Sequence, residues 1–203
     1  MTIKLKGSTD GSVSLQAPAD TSPTGTDKTF TLPTADGTAG QVLSTNGSGA
    51  LSFVNAITEV DQWYLTTDLT SDGVLTNLAR NNFTGAAQIG TGMSASSGVF
   101  TFPSTGKWLI LVNAMFSVSG PDSINVLTYV TTNNSTFNLV AFVGEGADNS
   151  VQSMGSTCHF LDVTDTSQVK VRFSANSIGT GSYVKGDNTR METNMIFIRL
   201  GDT

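Results

Sequence analysis

The run Val169-Lys170-Val171-Arg172-Phe173 alternates apolar and polar side chains, the pattern of a strand with one buried and one wet face. Segments of the same texture recur from about residue 56 onward, at 62–66, 98–102, 107–118, 124–130, 137–143, 151–163, 168–173 and 194–200. Strands at such turn-separated intervals predict an all-β sandwich or jelly roll. No segment offers an amphipathic helix. Residues 107–118, KWLILVNAMFSV, are apolar on both faces over much of their length. That predicts a strand covered on both sides, by a second sheet or by a neighbouring subunit. Threonine, glycine, serine and asparagine make up roughly two fifths of the chain, a composition suited to strands and turns.

Ahead of residue 56 the texture is different. Large apolar residues come in thin pairs, Ile3/Leu5, Val13/Leu15, Phe30/Leu32, Val42/Leu43 and Leu51/Phe53, and most pairs are spaced by two. Turn signals separate them at Thr9-Asp10-Gly11, Ala35-Asp36-Gly37 and Asn46-Gly47-Ser48-Gly49, and Pro18, Pro23 and Pro33 interrupt the same region. So few apolar groups cannot close a core within one chain. Such a segment is either disordered or pools its apolar strips with other copies. Three lysines stand against four aspartates up to Val54, so the high net charge usual in disordered segments is missing. Pooling, in a trimeric fibrous module, is therefore the expectation.

Composition also narrows the function. A net charge of −6 and a sequence pI near 4.5 argue against a nucleic-acid groove. No stretch approaches the roughly 18 apolar residues of a membrane span, so membrane insertion is not expected. One cysteine excludes an intramolecular disulfide framework, and one histidine leaves little for metal or acid–base chemistry. Residues 1–12, MTIKLKGSTDGS, carry lysines with no apolar run behind them, so a secretory signal is not expected.

Two motifs are more specific. Gly98-Val99-Phe100-Thr101-Phe102-Pro103-Ser104-Thr105-Gly106-Lys107-Trp108 resembles the G-x-F-T-x-P-x-x-G-x-Y strand–turn–strand signature of complement-type globular heads. That is the trimeric jelly roll also seen in the tumour necrosis factor family. CHFLDVTDTSQVKVRF at 158–173 resembles its later strand pair, and MIFIRL at 195–200 is similar to its closing strand. On this resemblance Phe100, Phe102, Pro103, Gly106 and Trp108 are the fold signature, with Trp108 in place of the usual tyrosine. TFTLPTADGTAGQVLSTNGSGALSFV at 29–54 resembles a repeat unit of phage tail-fibre stalks, and the opening residues are similar to leaders of marine-phage fibre-like proteins.

Together these imply a leader at 1–20, a fibrous β stalk at 21–55 and a jelly-roll head at 56–203. The implied function is a homotrimeric phage fibre or spike, assembled in the host cytoplasm and exposed on the virion. Its head would bind a host surface glycan or protein non-covalently. The same layout also suits capsid decoration, as a head fibre or cement trimer. A polysaccharide-degrading tailspike is the enzymatic alternative.

If the head follows that jelly roll, its first and last strands are antiparallel neighbours and alternation assigns each loop to an end. Loops 103–105, 132–136 and 164–166 fall beside the stalk, and 119–122, 144–150 and 175–190 at the far end. The distal set is longer and richer in glycine and acids. It is either the host contact, near Asp122, Glu145, Asp148, Asp187 and Asn188, or a set of solvated turns, with the flank of the trimer a further candidate for that contact. Ile3 and Leu5 against Lys4 and Lys6 form an alternating strand. It either adds to a sheet edge on another virion protein, as an anchor, or is an exposed end kept soluble by its lysines.

Chemistry has little support. Cys158 and His159 are adjacent, so in a strand they face opposite ways and cannot work as a nucleophile–base pair. Cys158 reads as a small core residue and His159 as an interface or surface residue. Glu59 and Asp61 sit two apart, a pair within glycosidase-like reach. Complement-type heads can bind calcium near their apex, and three copies of Asp148 or Asp187 would supply oxygen ligands. No ligand motif matches residue by residue, so neither a metal nor a cofactor is expected.

Overall fold

Antiparallel strands account for all the regular structure in the computed structural model, which describes residues 2–6, 12–16, 18–19 and 21–203. Side chains are described at 18–19 and 21–203. The expected turn at Thr9-Asp10-Gly11 lies outside the described residues, as do the side chains of Ile3, Lys4, Leu5 and Lys6. The chain divides into two units, Met1–Ala56 and Ile57–Thr203.

The first unit holds two hairpins. Strand β1 (Thr2–Lys6) pairs with β2 (Ser12–Gln16), and β3 (Gln41–Thr45) with β4 (Leu51–Asn55). Asn46 closes the second turn, its Oδ1 accepting from the amides of Ser48 at 2.9 Å and Ala50 at 3.1 Å. Gly49 has φ +92°, and a side chain there would meet the Thr29 carbonyl at 2.3 Å. Phe30, Leu32 and Leu43 remain 64%, 71% and 52% exposed, so the described side chains of this unit close no apolar core.

The second unit is a two-sheet jelly roll. One sheet contains β5 (Val60–Leu65), β7 (Leu78–Arg80), β10 (Gly106–Val118), β13 (Val151–Val163), β15 (Tyr183–Val184) and β16 (Asn194–Gly201). Its order is β13-β10-β16-β5-β7, with β15 paired to β10. The other contains β6 (Gly73–Val74), β8 (Ser94–Ser96), β9 (Val99–Thr101), β11 (Asp122–Thr131), β12 (Asn138–Ala147) and β14 (Lys170–Asn176). Its order is β12-β11-β14-β9-β8, with β6 paired to β14. We call these the first and second sheets.

Alternation sends Ile110, Val112, Ala114 and Phe116 of β10 and Val171 and Phe173 of β14 into the space between the sheets. Phe100, Phe102, Trp108 and Phe197 fill its middle, with the tilted ring of Phe102 centred 5.1 Å from that of Trp108 and Phe100 5.1 Å from Phe197. Gly106 sits at φ +138°, and a side chain there would strike the Gly201 carbonyl at 2.5 Å, so the turn into β10 demands glycine.

Strands β5 and β16 are antiparallel neighbours, with Val60 opposite Ile198. Both ends of this unit therefore lie at one end of its sandwich. The 103–105 turn lies there too, since the Thr105 carbonyl accepts from Arg199. Loops after β10, β12 and β14 lie at the opposite, distal end.

Candidate functional site

The distal end is knotted together by Asp122 at the start of β11. Its Oδ2 accepts from the Gly179 amide at 3.0 Å, and it also takes a hydrogen bond from Ser182. The buried Ser182 hydroxyl in turn accepts from the Ser119 amide at 3.0 Å. The Ser182 bond first, then those of the Ser123 and Gly179 amides, holds the Asp122 carboxyl below the usual carboxylate range. A depressed value means that the tie is complete above the ordinary carboxylate pKa of about 3.9 and is lost as the pH falls further, through the depressed value. Amide exchange at Gly179, measured relative to Val126, is expected to accelerate only in that acid window.

Asp122 and Asp148 line one shallow depression of about 540 Å³ with Pro121, Ser123, Gly146 and Ala147. Glu145 is not in a loop as the sequence suggested, because β12 continues to Ala147 and sets Glu145 opposite Ile124. Likewise the 175–190 segment is not one long loop. Strand β14 runs to Asn176, and Tyr183–Val184 forms β15 against Phe116 and Ser117.

Asp187 and Asn188 lie apart from the depression, beside β5, where the Asp187 amide donates to the Leu65 carbonyl at 3.0 Å. Asp187 accepts from the Thr189 hydroxyl and amide, which lower its pKa, and pairs with Arg190 at 3.4 Å. Next to it the nearly buried Glu192 is bridged by Lys185 at 3.3 Å and Arg190 at 3.0 Å. Of the five sequence-selected residues, Asp122 and Asp148 share the depression, Asp187 and Asn188 share the turn beside β5, and Glu145 stands apart on β12. Among the described residues no three His, Cys, Asp or Glu side chains converge as a metal site would require.

The acidic pair at the start of β5 is engaged in structure. Asp61 is 1% exposed and accepts from Trp63 Nε1 at 2.8 Å, the Met93 amide at 2.7 Å and Arg80 Nε at 3.0 Å. Glu59 accepts from the amides of Thr91 at 3.2 Å and Gly92 at 2.9 Å. Both carboxylates are occupied in tying down the chain at 91–93.

Cys158 corrects an expectation. It is exposed, on the outer face of the first sheet opposite Leu111, whereas His159 points inward opposite the buried Ile110. Burial pushes the His159 imidazole below its usual value. The pair does face opposite ways, but with the opposite parity to that expected.

The same outer face carries the two most exposed large apolar side chains of the unit. Phe160 and Met154 of β13 are 67% and 62% exposed, and across β10 and β16 they continue into Leu109, Leu111, Met115, Ile196 and Ile198. A groove of about 400 Å³ opens between Phe160 and Leu200, with the Lys107–Asp162 pair at its edge. Sequence pointed here only through the doubly apolar β10; Met154 and Phe160 gave no signal because neighbouring small residues hid their parity.

This is the architecture of a tumour-necrosis-factor-type jelly roll. Murine APRIL is similar at 8% identity over 70% of this chain and 98% of that chain, with a TM-score of 0.55. The Eiger TNF of S. frugiperda is similar at 11% identity over 71% of this chain and 93% of that chain, with a TM-score of 0.52. No family model and no curated protein matches the sequence.

Proposed function

We propose that the chain is a non-enzymatic, homotrimeric fibre or spike protein of a phage virion whose jelly-roll head binds the host surface. The observation that carries the trimer is the outer face of the first sheet. Exposed Phe160 and Met154 join half-buried Leu109, Leu111, Ile196 and Ile198 in one patch that water covers only in a lone chain. Copies of one chain bury such a face most simply in a closed ring.

The first unit supports a fibrous role, since its exposed Phe30, Leu32 and Leu43 also need partners. The likeness of residues 29–54 to phage fibre stalks supports the virion setting. In this reading β1, with Ile3, Lys4, Leu5 and Lys6, joins the fibre to other virion proteins. The distal depression at Asp122 and Asp148 and the Asp187–Asn188 turn meet the host.

Immunogold or cryo-electron localisation on intact virions tests this. Label at the tail is expected, with lower adsorption once the protein is removed. Label across the capsid would recast the protein as a decoration protein, and absence from virions would end the reading.

A further inference from the structure

The outer face of the second sheet presents an arginine that the chain itself leaves unused. Three of the four arginines pair with carboxylates, Arg80 with Asp61, Arg190 with Asp187 and Glu192, and Arg199 with Asp202. Arg172 has no carboxylate partner and no hydrogen-bond acceptor among the described residues. Because Val171 and Phe173 point inward, Arg172 points outward, between Tyr129 of β11 and Val99 of β9.

Its guanidinium carbon lies 4.3 Å from the centre of the Phe137 ring and 5.3 Å from that of Tyr129. Nε is enclosed without an acceptor; the two terminal nitrogens, also without an acceptor among the described residues, are not fully enclosed. Leaving a buried donor unmet costs stability, and the rings hold the fork in one orientation. An arginine fixed in this way is preorganised for a planar, bidentate anion.

The surroundings narrow the anion. Lys170, on the same face, donates to Thr101 Oγ1 at 3.0 Å and the Thr166 carbonyl at 2.7 Å, leaving its third proton free. The nearby Asp165 is turned onto Ser167, with Oγ at 2.6 Å. Exposed Ser94 and Ser96 stand opposite Thr101 and Val99, and half-exposed Leu139 stands opposite Tyr129. Hydroxyls, small apolar surfaces and one aimed guanidinium suit a hydroxylated ring bearing a carboxylate. Two cations on a chain of net charge −6 do not suit a polyphosphate.

We propose that this face binds a carboxylated sugar of a surface polysaccharide, its carboxylate on the Arg172 fork and its ring against Tyr129 and Leu139. The site deepens the host-binding reading, on which it rests, and adds a contact on the flank of the head.

The test is binding of the full-length protein to immobilised oligogalacturonate, to sialyllactose and to carboxyl-reduced oligogalacturonate. Wild type is expected to bind one acidic probe at least tenfold more tightly than the reduced one, and the two arms separate uronic from sialic sources. Arg172→Met should lose at least tenfold, and Arg172→Lys should recover only part, having no fork. Arg172→Met should melt no lower than wild type, because the methionine keeps the packing between the rings and removes the unmet donor.

Equal binding by wild type and Arg172→Met overturns the site, as does no binding to either acidic probe. A changed oligomer mass in Arg172→Met also overturns it, since the arginine would then face an acid of a second copy. Failure here with normal dependence of adsorption on the protein leaves host binding standing. Virions stripped of the protein that adsorb normally overturn that reading instead.

Discussion

Phe160→Glu is expected to yield folded monomers where wild type sediments at about three times the 21.2 kDa chain mass. Phe160 is 67% exposed within one chain, so the substitution leaves the sandwich core untouched. Its cost falls on association. Each copy gives up about 2 kcal/mol of apolar burial. Each copy also places an unpaired carboxylate in the interface, a penalty of about 3 kcal/mol or more. Over three copies the loss exceeds roughly 10 kcal/mol, which is about seven decades in the association constant. Analytical ultracentrifugation at micromolar concentration reads this directly, with circular dichroism to check the fold. A trimeric Phe160→Glu would mean that copies meet elsewhere, and a monomeric wild type would remove the trimer altogether.

That surface also explains what could and could not be read from the sequence. The sandwich was legible because strands such as β14 alternate without exception, Val171, Phe173 and Ala175 inward and Lys170, Arg172 and Ser174 outward. The parity of β13 was not. Its inward positions include Ser153, Gly155 and Thr157, while Met154 and Phe160 point out. Small residues are needed inside, since a side chain on Gly155 would meet Val143 at 2.4 Å. Large ones outside make sense only with a second covering layer. Cys158 reads as a core residue only if one chain buries everything apolar, and here it lies exposed.

Sites built from distant segments were equally hidden. Tyr129, Phe137 and Arg172 come together only through the pairing of β11 with β14. The distal candidates stand out in the sequence by acidity in loops, and Glu145 leaves that set because β12 runs past its apolar pattern to Ala147.

Asp61→Ala is expected to be the most damaging single change within the head. Spacing made Asp61 and Glu59 look like a matched acidic pair, but the donors that occupy them arrive from far along the chain. Arg80 comes from β7 and the Met93 amide from the segment leading into β8. With the carboxylate gone, the Met93 amide and the Trp63 indole N–H lose their acceptor in a dry site. Arg80 keeps only the Met93 carbonyl. Its guanidinium remains stacked 5.2 Å from the centre of the Trp63 ring, an unpaired charge that is 39% exposed and so partly relieved by water.

Breaking a buried pair from one side costs about 3–5 kcal/mol. For a unit of this size that corresponds to a fall in Tm of roughly 10 °C. Asp61→Asn keeps one acceptor oxygen but turns an amide donor toward Arg80 or Met93, so it should recover only part of the loss. Trp63 packs edge-on against Phe100 at 5.1 Å, so its fluorescence should report the melt of the core itself. A double variant, Asp61→Ala with Arg80→Met, removes the stranded charge and is expected to regain stability over Asp61→Ala alone. If the single and double variants melt together, the stranded Arg80 charge adds nothing and the lost acceptor of Met93 and Trp63 carries the cost. If Asp61→Ala melts like wild type, the Glu59 carboxylate holds residues 91–93 instead.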